Sequence, residues 1–178
     1  NFGKLRTHQE GRLHRAFSIF IFNSKGEMLL QKRAKSKYHS SGLWTNACCS
    51  HPQPEESTAK AARRRLKEEM GIECDLKEVL NFVYKAKVGD LIEHEFLHVF
   101  SGKFDGCPRP NKKEVADWRW QNKKELAKDI KENPDKYTVW FRVILNKAPD
   151  KFQNTEEIVD YLEKSKPEID KLIEKYRK

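Results

Sequence analysis

The stretch WTNACCSHP, residues 44–52, sets two adjacent cysteines just before a histidine. Thiols and imidazoles serve as acid–base groups, nucleophiles or metal ligands. Successive side chains of a strand point to opposite faces, so Cys49 and His51 share a side and Cys48 faces away. In LIEHEFLHVF the same alternation puts Glu93 and Glu95 on one face with Leu91, Leu97 and Val99, and His94 on the other. A carboxylate on an apolar stripe has to be paired, protonated or metal-bound. That marks Glu93 and Glu95 as a candidate site rather than a solvated strand surface. His8 and His14, in RTHQEGRLHRAF, add two imidazoles, either of which alone would read as structural or exposed. Together with His51, Glu93 and Glu95 they form a mixed donor set suited to Mn²⁺, Zn²⁺ or Mg²⁺ in roughly octahedral geometry, if the fold brings them together.

The elements that must do so read as α+β. AFSIFIFNSKGEMLLQKRA has two apolar runs around the turn-rich Asn-Ser-Lys-Gly, so residues 16–34 read as a hairpin. A short strand is expected over residues 43–48, then a loop punctuated by proline. From Glu55 the apolar residues Ala59, Ala62, Leu66 and Met70 recur at helical spacing, acids lie in the first turn, and Gly71 sits where a C-terminal glycine belongs. VLNFVYKAK, LIEHEFLHVFSGKF and VADWRWQ follow as strands, and helices are expected over residues 123–132, 136–146 and 155–176. Strands, a helix, more strands and then helices imply a mixed sheet flanked by helices. Neither a repeat nor a linker divides the chain, which reads as one domain over residues 1–178, ending in a helical region over 122–178.

Composition bounds the partners. With 178 residues the chain can bury a full core. A net charge of +9 would suit nucleic acid, a membrane surface or a small polyanion such as a diphosphate. Lysines and acids interleave in stretches such as KKELAKDIKENPDK, which is the pattern of a solvated face, so nucleic acid is not expected as a partner. No apolar run reaches the length of a membrane span and no apolar leader opens the chain. Its start at Asn1 leads us to expect preceding residues. Cys48, Cys49, Cys74 and Cys107 form no CxxC pair, which fits free thiols, a reducing compartment and a cytoplasmic protein. A monomer is expected.

The expected helix carries EESTAKAARRRLKEEMGI, and residues 50–72 resemble the Nudix box in Glu56, Arg64, Leu66, Glu68, Glu69, Gly71 and Ile72. That box uses helix carboxylates to hold divalent cations on a diphosphate. Two positions depart from it: Ser50 stands where the box opens with glycine, and Arg65 replaces a glutamate. Arg65 lies four residues before Glu69, so the pair reads either as an ion pair on the helix surface or as a phosphate contact beside a Glu69-bound cation. The segments THQEGRLHRAF, RAKSKYHSSGLWTNACCSHP, ARRRLKEEMGI, YKAKVGDLIEHE and YTVWF together resemble the metal-dependent, Nudix-like type I isopentenyl-diphosphate isomerase family. They run in the family's order from near the start to about Trp140.

This resemblance implies a single-domain Nudix-like mixed sheet and an isomerase of isoprenoid biosynthesis that interconverts isopentenyl and dimethylallyl diphosphate. It implies Cys49 and Glu95 as the acid–base pair, with Tyr84 against Glu95 and Trp140 facing the cationic carbon. His8, His14, His51, Glu93 and Glu95 would hold one Mn²⁺, Mg²⁺ or Zn²⁺, and Glu69 a Mg²⁺ shared with the substrate. Lys4, Arg33, Lys37 and Arg65 match diphosphate-contacting positions. The commoner fate of a tryptophan is packing, and Trp44, Trp118 and Trp120 are expected to have it. Two other readings stay open: a Nudix hydrolase of a diphosphate-linked substrate, revealed by released phosphate or pyrophosphate, and a basic nucleic-acid-binding module, revealed by salt-sensitive binding without turnover.

Overall fold

The computed structural model describes residues 4–37 and 39–147. A short helix α1 (Lys4–Gln9) leads into strands β1 (His14–Phe22), β2 (Met28–Arg33), β3 (Trp44–Asn46) and β4 (Cys48–Ser50). Helix α2 (Thr58–Met70) follows, then the long strands β5 (Leu76–Val88) and β6 (Leu91–Lys103) and strand β7 (Val115–Gln121). Helix α3 (Lys123–Glu132), a 3₁₀ turn (Pro134–Lys136) and helix α4 (Val139–Lys147) complete the described residues. The expected helix over 155–176 lies outside them. Among the described residues no helix is long and apolar enough to cross a membrane.

The seven strands form one mixed sheet in which β3, β2, β1, β6 and β5 lie side by side, β4 pairs with β1, and β7 with β2. β1 and β6 run parallel and every other pair is antiparallel. Residues 16–21 of β1 are all buried, as befits a central strand covered on both faces. Ala16 and Phe20 face a core shared with α3 and α4. Phe17, Ile19 and Ile21 face a second core, shared with Ala61, Ala62, Leu66 and Met70 of α2.

The expected hairpin over 16–34 exists only beside its turn, where Phe22 pairs with Met28. Beyond that the strands part: β2 takes β7 and β3 as neighbours, while β1 takes β4 and β6. Tertiary pairing overrides the local hairpin because both strands are apolar on both faces and need covering all round. The single strand expected over 43–48 is two short strands. Likewise the helix expected over 136–146 starts later. Thr138 N–H donates to Trp44 O at 3.0 Å and Tyr137 bridges to Trp44, which holds this stretch extended until α4 begins.

Helix α2 starts one residue past Ser57, whose hydroxyl accepts from Lys60 N–H at 3.3 Å. The acids expected in its first turn precede it instead: Glu56 takes hydrogen bonds from Arg64 and Gln53, which hold its carboxyl down at about 2. Gly71 closes the helix at φ 64°, and a Cβ there would lie 2.7 Å from Arg109 O. Gly71→Ala is therefore expected to cost at least about 1 kcal/mol, a fall in Tm of roughly 2–4 °C or more for a chain of this size. An unchanged calorimetric melt would contradict that strain.

Candidate active site

Strand β1 positions the site because its two edges carry different chemistry. On one edge Ser18 stands opposite Cys49 of β4, and on the other His14 stands opposite Glu95 of β6. Tyr84 of β5 is across from Glu95. His51 follows β4, and α1 lays the buried His8 over the cluster. The imidazoles pack ring to ring, with centroids 4.8 Å apart for His8 and His14, 5.2 Å for His8 and His51, and 4.8 Å for His14 and His51. Donor atoms of His8, His14, His51 and Glu95 all lie within 4.8 Å of one another.

Glu95 Oε1 lies 3.0 Å from His51 Nε2 and 3.7 Å from His14 Nε2. Burial raises the Glu95 pKa, but these imidazoles outweigh it and hold the carboxyl well below its usual range. The Tyr84 hydroxyl lies 2.8 Å from Glu93 Oε2 and 2.9 Å from Glu95 Oε2. Burial, with both carboxylates alongside, pushes its own pKa well up. One phenolic proton serves only one carboxylate at a time, so two buried acids on one hydroxyl call for positive charge nearby. A divalent cation among nitrogen and oxygen donors answers that need, and the donor set fits one. Glu93 lines the same pocket but joins the cluster through Tyr84 rather than as one of the four converging donors.

The two cysteines separate as strand alternation requires. Cys48 is fully buried in the core beneath α2, whereas Cys49 faces the pocket. The Cys49 thiol donates to Asn46 Oδ1 at 3.0 Å, and Sγ accepts from Trp140 Nε1 at 3.0 Å and Ser18 Oγ at 3.5 Å. Trp140 Nε1 is also 3.0 Å from Thr45 Oγ1. Neighbouring cations lead one to expect a depressed thiol pKa; instead burial dominates, and despite the Ser18 hydroxyl and the Arg33 charge it pushes Cys49 up to about 11. Trp140 is 4 % exposed, and the Arg33 guanidinium lies 5.1 Å from its ring centroid, so the ring face already meets a cation. Trp44, Trp118 and Trp120 are partly buried against the two cores.

Basic residues line the rest of this pocket, which spans roughly 500 Å³ with its open mouth included. Arg33, Lys37 and Arg65 all border it, as does the buried Glu69. Lys4 opens α1, and its side chain is outside the described residues. Arg65 is no surface ion pair. Its side chain is 19 % exposed and donates to Glu69 Oε1 at 2.5 Å, Glu68 Oε2 at 2.8 Å and Glu114 Oε1 at 3.1 Å. Glu69 Oε2 takes a longer contact from Gln31 Nε2 at 3.3 Å. This buried carboxylate among cations suits a Mg²⁺ bridged to phosphate. The Nε–H groups of Arg33 and Arg65 are buried with no acceptor among the described residues. A buried guanidinium N–H without an acceptor is costly, and a phosphate oxygen would meet it.

Sequence reasoning missed Thr45, Asn46 and Ser18 around Cys49, Gln31 and Glu114 around Glu69 and Arg65, and His39, which lines the pocket. Thr45 and Asn46 lie inside the WTN run that helps carry the resemblance, but neither their types nor their spacing assigns them a role beside Cys49. No spacing signal points to Glu114.

The NUDIX domain matches residues 12–141. An isopentenyl-diphosphate Delta-isomerase of Serratia proteamaculans is 56 % identical over 143 residues, covering 80 % of either chain. Isopentenyl-diphosphate Delta-isomerase 2 of Aromatoleum aromaticum is 53 % identical over 147 residues, or 82 % of this chain and 78 % of that one. Among solved structures, a MutT protein from Methanosarcina mazei superposes with a TM-score of 0.66 at 18 % identity, over 82 % of this chain and 99 % of the other, which speaks to the fold alone. With a Nudix sheet, a thiol and a carboxylate on opposite edges of its central strand, and relatives this similar, the chain belongs to the isopentenyl-diphosphate Delta-isomerase family of NUDIX-domain proteins.

Proposed function

We propose that the chain interconverts isopentenyl diphosphate and dimethylallyl diphosphate, moving a carbon–carbon double bond and leaving the diphosphate intact. One observation carries the reading: a single pocket holds a thiol, a carboxylate on the far edge of β1, and two arginines with buried N–H groups that lack acceptors among the described residues. The reaction adds a proton at one end of an unactivated alkene and removes one from another carbon, so it needs two acid–base groups and no nucleophile. Cys49 and Glu95 are those groups, and each exchanges acid for base when the reaction runs backward. Tyr84 orients Glu95, as Asn46, Thr45 and Ser18 orient Cys49.

His8, His14, His51 and Glu95, with Glu93 alongside, would hold a divalent cation, and Glu69 a Mg²⁺ on the diphosphate. Such cations, when bound, offset carboxylate and phosphate charge. Arg33, Lys37 and Arg65, joined by Lys4, hold the diphosphate and so fix where the five-carbon chain lies. A hydrolase would have to activate water against phosphorus; here Arg65 stands in place of a box acid and sets a cation against Glu69. Purified protein given isopentenyl diphosphate and Mg²⁺ is expected to yield dimethylallyl diphosphate, and chelation to stop it. Release of phosphate or pyrophosphate instead would refute the reading.

Trp140 is assigned to the carbocation-like transition state. An indole face is worth about 2 kcal/mol to a desolvated cation, and the Nε1 hydrogen bond to Cys49 adds about 1 kcal/mol. Trp140→Leu loses both and should lower kcat about a hundredfold. Trp140→Phe keeps a ring face and loses the N–H, so its deficit should be nearer tenfold. Equal kcat values for the two variants would reduce Trp140 to packing.

A further inference from the structure

Glu114 belongs to no motif and does not border the pocket, yet it touches two of the pocket's cations. Its Oε2 pairs with Lys37 Nζ, and its Oε1 accepts from Arg65 at 3.1 Å. The segment carrying it is fastened on two sides. Arg109 N–H donates to Met70 O at 2.8 Å and Asn111 N–H to Glu69 O at 2.9 Å, both at the end of α2. Ala34 N–H donates to Glu114 O at 3.0 Å and Ser36 Oγ to Lys113 O at 3.1 Å, both from the stretch after β2. Residues 109–114 thus strap together the two elements that supply Lys37 and Arg65. Glu114 is held by its backbone behind them, with its side chain 25 % exposed.

A carboxylate fixed beside an anion site weakens anion binding, so its presence needs a reason. Around this part of the pocket the cations Arg33, Lys37 and Arg65 meet the carboxylates Glu68, Glu69 and Glu114, and Glu114 pairs with both Lys37 and Arg65. A diphosphate monoester trianion carrying one Mg²⁺ has one net negative charge. Without Glu114 the site would carry one more positive charge, which favours the bare trianion over its Mg²⁺ form. We propose that Glu114 is a positioning residue that holds Lys37 and Arg65 and sets the charge of the pocket so that it selects diphosphate with its Mg²⁺ over diphosphate alone. The inference rests on reading Arg33, Lys37 and Arg65 as the diphosphate cations.

Inorganic pyrophosphate, titrated calorimetrically into the full chain with Mg²⁺ or with chelator, tests both. Glu114→Gln should bind metal-free pyrophosphate about tenfold more tightly than the unaltered chain, the effect of one charge removed a few ångströms away in a half-buried setting. Its affinity for the Mg²⁺ form should change far less, so selectivity falls. Glu114→Asp keeps the charge and should keep the selectivity, which guards against a fold defect in the glutamine variant. Weaker or unchanged binding of metal-free pyrophosphate by Glu114→Gln would overturn the proposal and leave Glu114 as a structural strap. Lys37→Met should weaken both forms; if it alters neither, the diphosphate reading of the pocket fails, whatever Glu114 does.

Discussion

Replacing Cys49 with alanine is expected to lower turnover at least about a thousandfold, within the range that a positioned acid–base group supplies. Nothing near Sγ replaces it. Asn46 offers a carboxamide, Thr45 and Ser18 offer hydroxyls, and Trp140 offers only a donor. Cys48→Ala should leave turnover close to that of the unaltered chain, because its side chain faces the core beneath α2 and no part of the pocket. The cost there falls on stability: deleting a buried sulfur leaves a small cavity worth about 1 kcal/mol. The adjacent cysteines therefore separate by readout, one in kcat and the other in Tm. Comparable losses of turnover in both variants would overturn the assignment of faces.

That separation was legible from period-two alternation alone, as was the buried face carrying Glu93 and Glu95. Both are strand properties that survive whatever the strand pairs with. Helix α2 was readable for a similar reason, since its stripe and its closing glycine are local, although its start was misjudged by the acids that precede Ser57. What failed was non-local. Residues 16–34 carry a hairpin's turn signal, but the partners that pull β1 and β2 apart lie at β4, β6, β3 and β7. Glu114 lies 77 residues from Lys37 and 49 from Arg65, so no window of sequence joins them. The Cys49 pKa follows the depth of the thiol, which a sequence does not display, more than the nearby charges, which it does. Convergence of His8, His14 and His51 is intermediate: the residue types are suggestive, but only the antiparallel pairing of β1 with β4 and the placement of α1 put the rings together.

Turnover of isopentenyl diphosphate in D₂O is expected to place solvent deuterium in the newly formed methyl group of dimethylallyl diphosphate. Cys49 and Glu95 carry exchangeable protons, and the pocket they share has an open mouth, so whichever of them adds a proton to the alkene draws it from solvent between turnovers. A hydrolytic reaction at phosphorus would leave every carbon-bound hydrogen in place. Glu95→Gln should suppress both label and product by at least about a hundredfold, since an amide neither gives nor takes the proton at neutral pH. The arginines with unused N–H groups and Glu69 are untouched by that change, so the variant should still bind substrate. Losing the carboxylate would also weaken the hold on the cation among His8, His14 and His51, and metal content measured on the same sample shows how much of the deficit comes from that source. If metal is restored to the level of the unaltered chain and label still fails to enter, the carboxylate itself moves the proton. Product formed at the normal rate without solvent-derived deuterium would mean that the proton is carried intramolecularly from one carbon to the other, and the two-group arrangement across β1 would then lose its chemical role.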